Sequence, residues 1–423
     1  MNWLKQIIEQ HSELESPRAF WYWSGLCAIS AVVKDQVWLD RAGAYKLYPN
    51  IYVMLHADSG LKKGPPVSLA KDLVKRVNNT RIISGRSSIQ GILKELGTAY
   101  SLPGGKVINK SVGFIVASEF SSSLVSDPAA MTILTDLYDR QYNEGEYRSL
   151  LKMETFQLKD PTISMLVATN DAHFEDFVQG KDIRGGFIGR MFVIAETEVQ
   201  RLNSLMVPLA NPPKRDVLVQ HLQDLSKLAG PFRPLGSREE SEEFSYKKET
   251  AFGTVYMTEA GKLYDDWYDD FYTSIKEAAD KDATGTVQRF GDSVLKVAML
   301  LSLAESVSLV IKPKHFQEAL AVTEPLIGNV RKATLGKRGK SDFAEKKGII
   351  LKEIIACPSY QISRARILKK YMMDLKAVEL DEIMQEFDQA GIIKTQNIGN
   401  QIIYQMPDEM AEKLKAHFRG KAK

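Results

Sequence analysis

The sequence predicts an α/β fold in which a parallel sheet carries helices on both faces. Three observations point there. Apolar runs of strand length recur at 51–55, 81–83, 112–120, 163–170 and 185–195, separated by segments of helical character. The first run leads directly into a tight basic turn, Ser59-Gly60-Leu61-Lys62-Lys63-Gly64, and then into a helix. Two later runs close on single polar residues, Glu119 and Asn170.

In chain order, residues 1–33 read as helical, with Glu15-Ser16-Pro17-Arg18 as the break between two helices. The apolar stretch 21–33 is too short to span a bilayer and contains Ser24, Gly25 and Ser30, so a buried helix on the sheet is expected and no membrane anchor. A short strand at 37–39 precedes the loop 40–47. After the basic turn come a helix at 68–77, a strand at 81–83, a helix at 88–96, a surface turn at 101–105 and a helix at 131–138. Residues 147–161 are β-rich and partly alternating, and they lie between the strands that end in Glu119 and Asn170.

The turn at 59–64 has the chemistry of a phosphate cradle. Backbone N–H groups at a helix start and a lysine ammonium are what a triphosphate needs. Aligned on Gly60 and Lys63, however, the pattern G-x-x-x-x-G-K-[ST] is broken at Ala57, at Lys62 and at Gly64, the last in place of the Mg²⁺-binding hydroxyl. A plain basic Gly-Pro turn between a strand and a helix reads the same way. The order of later parts favours a nucleotide site. Glu119 suits polarising an attacking water, although Ser118 stands where an aspartate usually precedes it. Asn170 suits holding that water against a γ-phosphate. Arg190 stands alone at the mouth of the strand in 185–195, and Arg289 enters an amphipathic helix at 286–302. Taken singly, these are a solvated turn residue, a helix N-cap and surface ion-pair partners.

On these residues the chain resembles the phage and mobile-element ATPases related to AAA+ replicative helicases, over 17–324 and best at 50–75, 113–124 and 161–196. The resemblance implies an AAA+ P-loop NTPase core at 1–200, a linker and helical lid at 201–335, and ATP with Mg²⁺ as cofactors. It implies Lys63 as the Walker A lysine, with Ser59, Gly60, Lys62 and Gly64 around the nucleotide. Glu119 then takes the Walker B role, Asn170 sensor 1 and Arg289 sensor 2. Arg190, in the setting Gly186-Phe187-Ile188-Gly189-Arg190, is similar to the finger that minichromosome-maintenance helicases supply in trans. A finger in trans implies a homo-oligomer, with a hexamer the natural guess. The same resemblance places a hairpin before sensor 1 in a central channel, where Arg148 and Lys152 would ride on single-stranded DNA. An ordinary solvated hairpin is the alternative.

Composition fits a multidomain protein. At about 150 residues per domain, 423 residues give two or three domains. The net charge of +3 does not by itself announce a nucleic-acid binder. Cys27 and Cys357 lie far apart, which argues against a disulfide scaffold or a zinc site and for a reducing cytoplasm. Residues 200–255 read as a linker with one helix at 216–228. Helices at 257–279, 293–306 and 313–327 would form the lid, with Tyr264, Trp267 and Phe271 as a packing stripe.

The Gly/Lys-rich stretch 334–341 opens a last domain, 336–423. Helices at 343–355, 363–371 and 377–389, then strands at 392–395 and 401–404, describe a winged helix-turn-helix. Its third helix carries Glu379, Asp381, Glu382, Glu386 and Asp388, which repel phosphates, while Arg364, Arg366, Lys369 and Lys370 lie on the second. Recruitment of a replication protein is therefore favoured over groove reading.

The combined expectation is a ring-forming, ATP-dependent DNA motor, the replicative helicase of a phage or integrated element. The alternative is a nucleotide-gated DNA-binding or loader scaffold with weak or no hydrolysis. A winged-helix regulator with an α/β ligand domain would leave Glu119, Asn170, Arg190 and Arg289 without a role.

Overall fold

Asn2 starts the first helix, α1 (Trp3–Gln10), by accepting from the Leu4 and Lys5 N–H groups with its side chain. Helix α2 (Arg18–Val33) follows and is buried on nearly every side, as its lack of a polar face requires. Gly25 lets α1 and α2 touch: a Cβ there would lie 2.7 Å from the Leu4 side chain and 3.0 Å from that of Ile7. The structure, a computed structural model, describes residues 2–85, 87–101, 107–119, 127–139, 145–150, 155–170, 174, 186–204, 209, 212–277, 285–335, 342–371, 377–398 and 401–412. It divides into two compact units, Met1–Val330 and Arg331–Lys423.

Strands β1 (Val37–Asp40) and β2 (Lys46–Leu47) lead into β3 (Tyr52–His56) and helix α3 (Gly64–Val77). Next come β4 (Arg81–Ser84), α4 (Ile89–Gly97), the short pair β5 (Tyr100–Ser101) and β6 (Val107–Ile108), β7 (Val112–Ala117) and α5 (Pro128–Tyr138). A hairpin of β8 (Glu146–Leu150) and β9 (Thr155–Lys159) precedes β10 (Thr162–Thr169), and β11 (Met191–Ala195) comes later.

Five of these strands form one all-parallel sheet in the order β11-β3-β10-β7-β4. Their carboxyl ends therefore share one edge and their amino ends the other. Alternation sorts the side chains between the two faces. Val53, Leu55, Leu166 and Ala168 enter the main core with α2 and α3. Tyr52 faces the other way, donating its hydroxyl to the Leu134 carbonyl at 3.0 Å and meeting Tyr138 edge-on at 4.9 Å. With both faces covered, these strands read as the near-continuous apolar runs seen in the sequence.

The region expected to be a linker with one helix holds more. Besides α6 (Arg215–Leu225), it contains β12 (Gly230–Pro231), which joins β1 in parallel, and the antiparallel sheet of β13 (Gly236–Ser237), β14 (Tyr246–Thr250) and β15 (Gly253–Met257). The missing signal has a physical cause. β14 is polar and exposed along most of its length, so it lacks the apolar alternation that marks a half-buried strand. Its turn is closed locally, with Gly253 at φ +111° and Thr250 Oγ1 donating to the Gly253 carbonyl at 2.6 Å.

Helices α7 (Glu259–Glu277), α8 (Phe290–Glu305) and α9 (Pro313–Leu335) complete this part of the chain. Trp267 stacks on Phe271 at 5.0 Å and meets Phe290 of α8 and Phe316 of α9, the packing role expected of that stripe. α8 is not amphipathic as expected. It is buried on nearly every side and shares one hydrophobic core with α2 and the sheet. Among the described residues no helix is long and apolar enough to cross a membrane.

The second unit has its own core, around Ile354, Ile367, Leu380, Ile383 and Phe387. It comprises α10 (Asp342–Ala356), β16 (Gln361–Ser363), α11 (Arg364–Lys370), α12 (Ala377–Gln389), β17 (Lys394–Ile398) and β18 (Gln401–Gln405). The strands form an antiparallel sheet in the order β16-β18-β17, one strand more than expected. Several of its charges pair internally. Arg364 donates to both carboxylate oxygens of Asp381 at 2.7 and 2.8 Å, Lys370 to Glu353 at 2.6 Å, and Lys347 to Glu386.

Candidate functional site

The loop after β3 is shaped by its backbone. Gly60 takes φ +95° and Lys62 takes φ +49°, a left-handed conformation that glycine adopts at least cost. Lys62 therefore occupies the position of a pattern glycine while keeping the glycine-like turn. The two lysines then part. Lys62 is exposed, with its ammonium 3.4 Å from Glu15 and its carbonyl accepting from Ser16 Oγ at 2.7 Å. Lys63 turns back over the loop and donates to the Ala57 and Asp58 carbonyls at 2.5 and 2.8 Å. Ser59 and Gly60 are exposed at the tip.

Helix α3 begins four residues earlier than the sequence suggested, at Gly64, with Lys63 as its N-cap. Pro65 and Pro66 come next and have no N–H, so two of the usual orphan donors at this helix start are missing. An anion here would meet the Lys63 ammonium and the loop amides, with fewer helix donors than usual.

The parallel register brings three expected residues to the carboxyl edge. Ala57 N–H bonds to the Thr169 carbonyl at 3.4 Å, joining the loop to the end of β10, where Asn170 follows. Because β10 lies between β3 and β7, Asn170 stands between the loop and Glu119. Glu119 lies two residues past Ala117, the end of β7, and is exposed. Two strand spacings, about 10 Å, separate the strand that feeds the loop from the strand that carries Glu119. That gap suits a phosphate and a water.

For a divalent cation this edge is poorly supplied. Gly64 has no hydroxyl, Ser118 no carboxylate, and among the described residues no group of three or more His, Cys, Asp or Glu is arranged to hold a metal. A Mg²⁺ here would be held by nucleotide phosphates and water in place of a protein cage.

At the carboxyl end of β11 lies a cavity of about 580 Å³, lined by none of the loop residues 57–64. Its apolar walls include Ile8, Tyr22, Trp23, Ile194 and Val322. Tyr22 donates to Glu318 at 3.0 Å across it, and burial pushes the Glu196 carboxyl above its ordinary range. The cavity size falls in the range of small-molecule sites. The sequence did not single out these residues, because they come from α1, α2, β11 and α9 and converge only in the fold.

The two arginines lie elsewhere. Arg190 ends the 3₁₀ turn Ile188–Arg190 and immediately precedes Met191, which pairs with Tyr52 at the start of β3. It therefore sits at the amino edge, with five-residue strands, about 13 Å, between it and the loop's end of the sheet. Its side chain is 8% exposed; Nε donates to Asp139 Oδ2 at 3.0 Å, and a second nitrogen bonds the same oxygen. Arg289, the N-cap of α8, joins it there. A Cβ at Gly186 would lie 2.9 Å from Arg190 and 3.6 Å from Arg289, so both guanidinium groups converge on that glycine.

Arg148 projects from β8, 66% exposed, with Glu146 3.6 Å away. Lys152 lies outside the described residues. The five positions expected to serve nucleotide chemistry, Arg190 of them in trans, thus fall into two groups on opposite edges of the sheet: Lys63, Glu119 and Asn170, and Arg190 with Arg289. No protein-family model matches the chain, and no curated protein matches it.

Proposed function

We propose that the chain is a subunit of an oligomeric ATPase of the AAA+ type, whose nucleotide sites are completed between copies. One observation carries the reading. The lysine and the water-orienting pair share the carboxyl edge, while both arginines lie at the amino edge. A single subunit holds half of the chemistry at each edge; a ring of copies joins the halves.

Supporting features are the strand order, with the loop strand β3 next to β10 instead of β7, and the cavity at the carboxyl end of β11, the strand next to β3, whose Tyr22 and Trp23 suit a purine base. In this reading Lys63 and the loop amides hold the phosphates. Glu119 and Asn170 orient the water, and the neighbour's Arg190 and Arg289 neutralise charge developing on the γ-phosphate. The work is done on DNA, with the β8–β9 hairpin and Arg148 meeting the strand and the second unit, as a winged helix, serving a partner protein. The acidic α12 and the internal pairing of Arg364 and Lys370 support that division.

The test is complementation. Lys63→Ala and Arg190→Ala subunits should each be inactive alone, and mixed oligomers should regain part of the DNA-stimulated ATP hydrolysis. No recovery from folded, co-assembled subunits would sink the proposal.

A second reading has its own observation. Pro65, Pro66, Gly64 and Ser118 remove helix donors and cation ligands from the carboxyl edge. They favour a nucleotide-gated DNA-binding or loader scaffold, for which ATP binding without measurable wild-type turnover would be the result.

A further inference from the structure

The loop at 57–64 keeps a conformation that its own sequence resists. Lys62 stands at φ +49°, where the Cβ of an L residue crowds the following carbonyl; the cost is roughly tenfold in population against the ordinary backbone regions. Both its neighbours are fixed. Leu61 is buried in the main core, and Lys63 is the N-cap of α3. The inversion at Lys62 therefore sets the angle between the loop tip, Ser59 and Gly60, and the start of the helix.

The bond that holds Lys62 comes from the break between α1 and α2. Ser16 is 1% exposed, and its Oγ donates to the Lys62 carbonyl at 2.7 Å. The two residues are 46 apart in the chain, so this is a tertiary contact and no product of local turn chemistry. Ser16 is itself fixed. Trp21 Nε1 donates to its carbonyl at 3.2 Å, and the Trp21 ring stacks on His11 at 4.2 Å. The residues before it are tied to the chain that leaves β11: the Gln200 N–H donates to the Glu15 carbonyl at 2.9 Å, and the Gln200 side chain to the Ser12 carbonyl at 2.8 Å. Asn203 Nδ2 donates to the Glu13 carbonyl at 2.9 Å. The ion pair of Glu15 with the Lys62 ammonium adds little, because water competes for both exposed charges.

We propose that Ser16 is a positioning residue, whose hydroxyl pins the Lys62 carbonyl and so holds the loop at 59–64 in its phosphate-binding form. The inference rests on the nucleotide-site reading above. It accounts for a lysine where the phosphate-loop pattern has glycine. Glycine needs no help at positive φ, whereas lysine there needs a bond from outside the loop. The bond fixes the backbone of the loop and does not reach the Lys63 ammonium.

Binding of adenylyl imidodiphosphate, a non-hydrolysed ATP analogue, to the full chain is the first test. Ser16→Ala should weaken it about tenfold, the cost of the left-handed residue once nothing pins it. On a Lys62→Gly background the same Ser16→Ala change should cost no more than about twofold, because glycine takes positive φ about as readily as negative. Wild-type affinity in Ser16→Ala overturns the proposal. So does an equal loss on both backgrounds, since Ser16 would then act by a route other than Lys62.

A readout that needs no nucleotide separates this proposal from the one it rests on. The Leu61 N–H bonds to the Asp58 carbonyl and the Ala57 N–H to the Thr169 carbonyl, both at 3.4 Å, so opening of the loop exposes bonded amides. Hydrogen exchange of nucleotide-free protein, read by mass spectrometry, should be about tenfold faster over 57–64 in Ser16→Ala than in wild type, with α2 and α3 unchanged. If wild-type protein binds no nucleotide while the loop exchanges faster in Ser16→Ala, the nucleotide-site reading falls and the role of Ser16 in holding the loop stands. Equal exchange over 57–64 overturns that role, as does an equal acceleration across α2, the mark of general destabilisation.

Discussion

The carboxyl edge of the five-stranded sheet is open and lightly furnished, whereas the amino edge is buried and braced. At the first, Glu119, Ser59 and Gly60 are exposed, and Lys63 bonds to carbonyls of its own loop. At the second, Arg190, Asp139, Asn50 and Lys296 form contacts that need no ligand to complete them. The difference teaches where preorganisation resides. Electrostatic catalysis is most effective when donors are fixed before charge develops. On the proposed reading the fixed donors are the arginines, and Lys63 would have to exchange carbonyls for phosphates.

The largest expected effect follows from that contrast. Arg190→Ala should lower turnover about a thousandfold, the scale of an arginine that neutralises transition-state charge, with nucleotide affinity unchanged in its own subunit. Equal losses in affinity and turnover would place Arg190 in its own subunit's site and erase the contrast between the edges.

Lys63→Ala should act the other way round, weakening nucleotide binding about a hundredfold, some 2.7 kcal/mol. Lys62→Ala should change binding little, because that ammonium faces Glu15. Lys62→Gly should also bind normally, since glycine adopts φ +49° more readily than lysine does. Isothermal titration with a non-hydrolysed nucleotide checks all three; loss of binding in Lys62→Ala alone would shift the register by one residue.

The two edges also differ in how much of them the sequence made legible. The carboxyl edge follows from local order: an apolar strand, a basic turn, and later strands ending in Glu119 and Asn170. Parallel strands buried on both faces carry continuous apolar runs, so β3, β7 and β10 could be read directly. The amino edge could not. Arg190 was visible as a lone charge beside a strand, but its partner Asp139 is 51 residues away, and Asn50 meets Lys296 across 246. A lysine within an apolar helical run such as 290–305 reads as one solvated position; its burial exists only in the fold. Polar strands such as β14 fail for a related reason, because their stability comes from pairing and their exposed positions leave no periodic apolar signal.

Lys296 gives the braced edge a pH signature. Burial lowers its ammonium from 10.5 to about 7, against the opposing pull of Asp139 and Asp292. Between those values the unfolded chain binds a proton that the folded chain does not, so stability rises with pH across that window. Below it both states are protonated and the contribution is flat at its least favourable level. The slope from this one group is about 1.4 kcal/mol per pH unit. Urea unfolding at pH 7, 8 and 9 should therefore show a flatter pH dependence for Lys296→Met than for wild type; parallel curves would mean that Lys296 is charged or hydrated in the folded protein.

The smallest expected effect concerns the open side of the molecule, where Arg148 stands on β8. Its exposed pairing with Glu146 contributes little to stability, so Arg148→Ala should leave folding unchanged. If Arg148 holds one phosphate of single-stranded DNA, its removal should reduce the slope of log affinity against log salt by about 0.7. Truncation before the second unit supplies the comparison. That unit pairs Arg364 and Lys370 internally and exposes acidic positions on α12, so its loss should change the slope less. Fluorescence anisotropy over a salt series measures both. A slope reduced by the truncation and untouched by Arg148→Ala would move DNA binding from the β8–β9 hairpin to the second unit, and would leave the hairpin as an ordinary solvated turn.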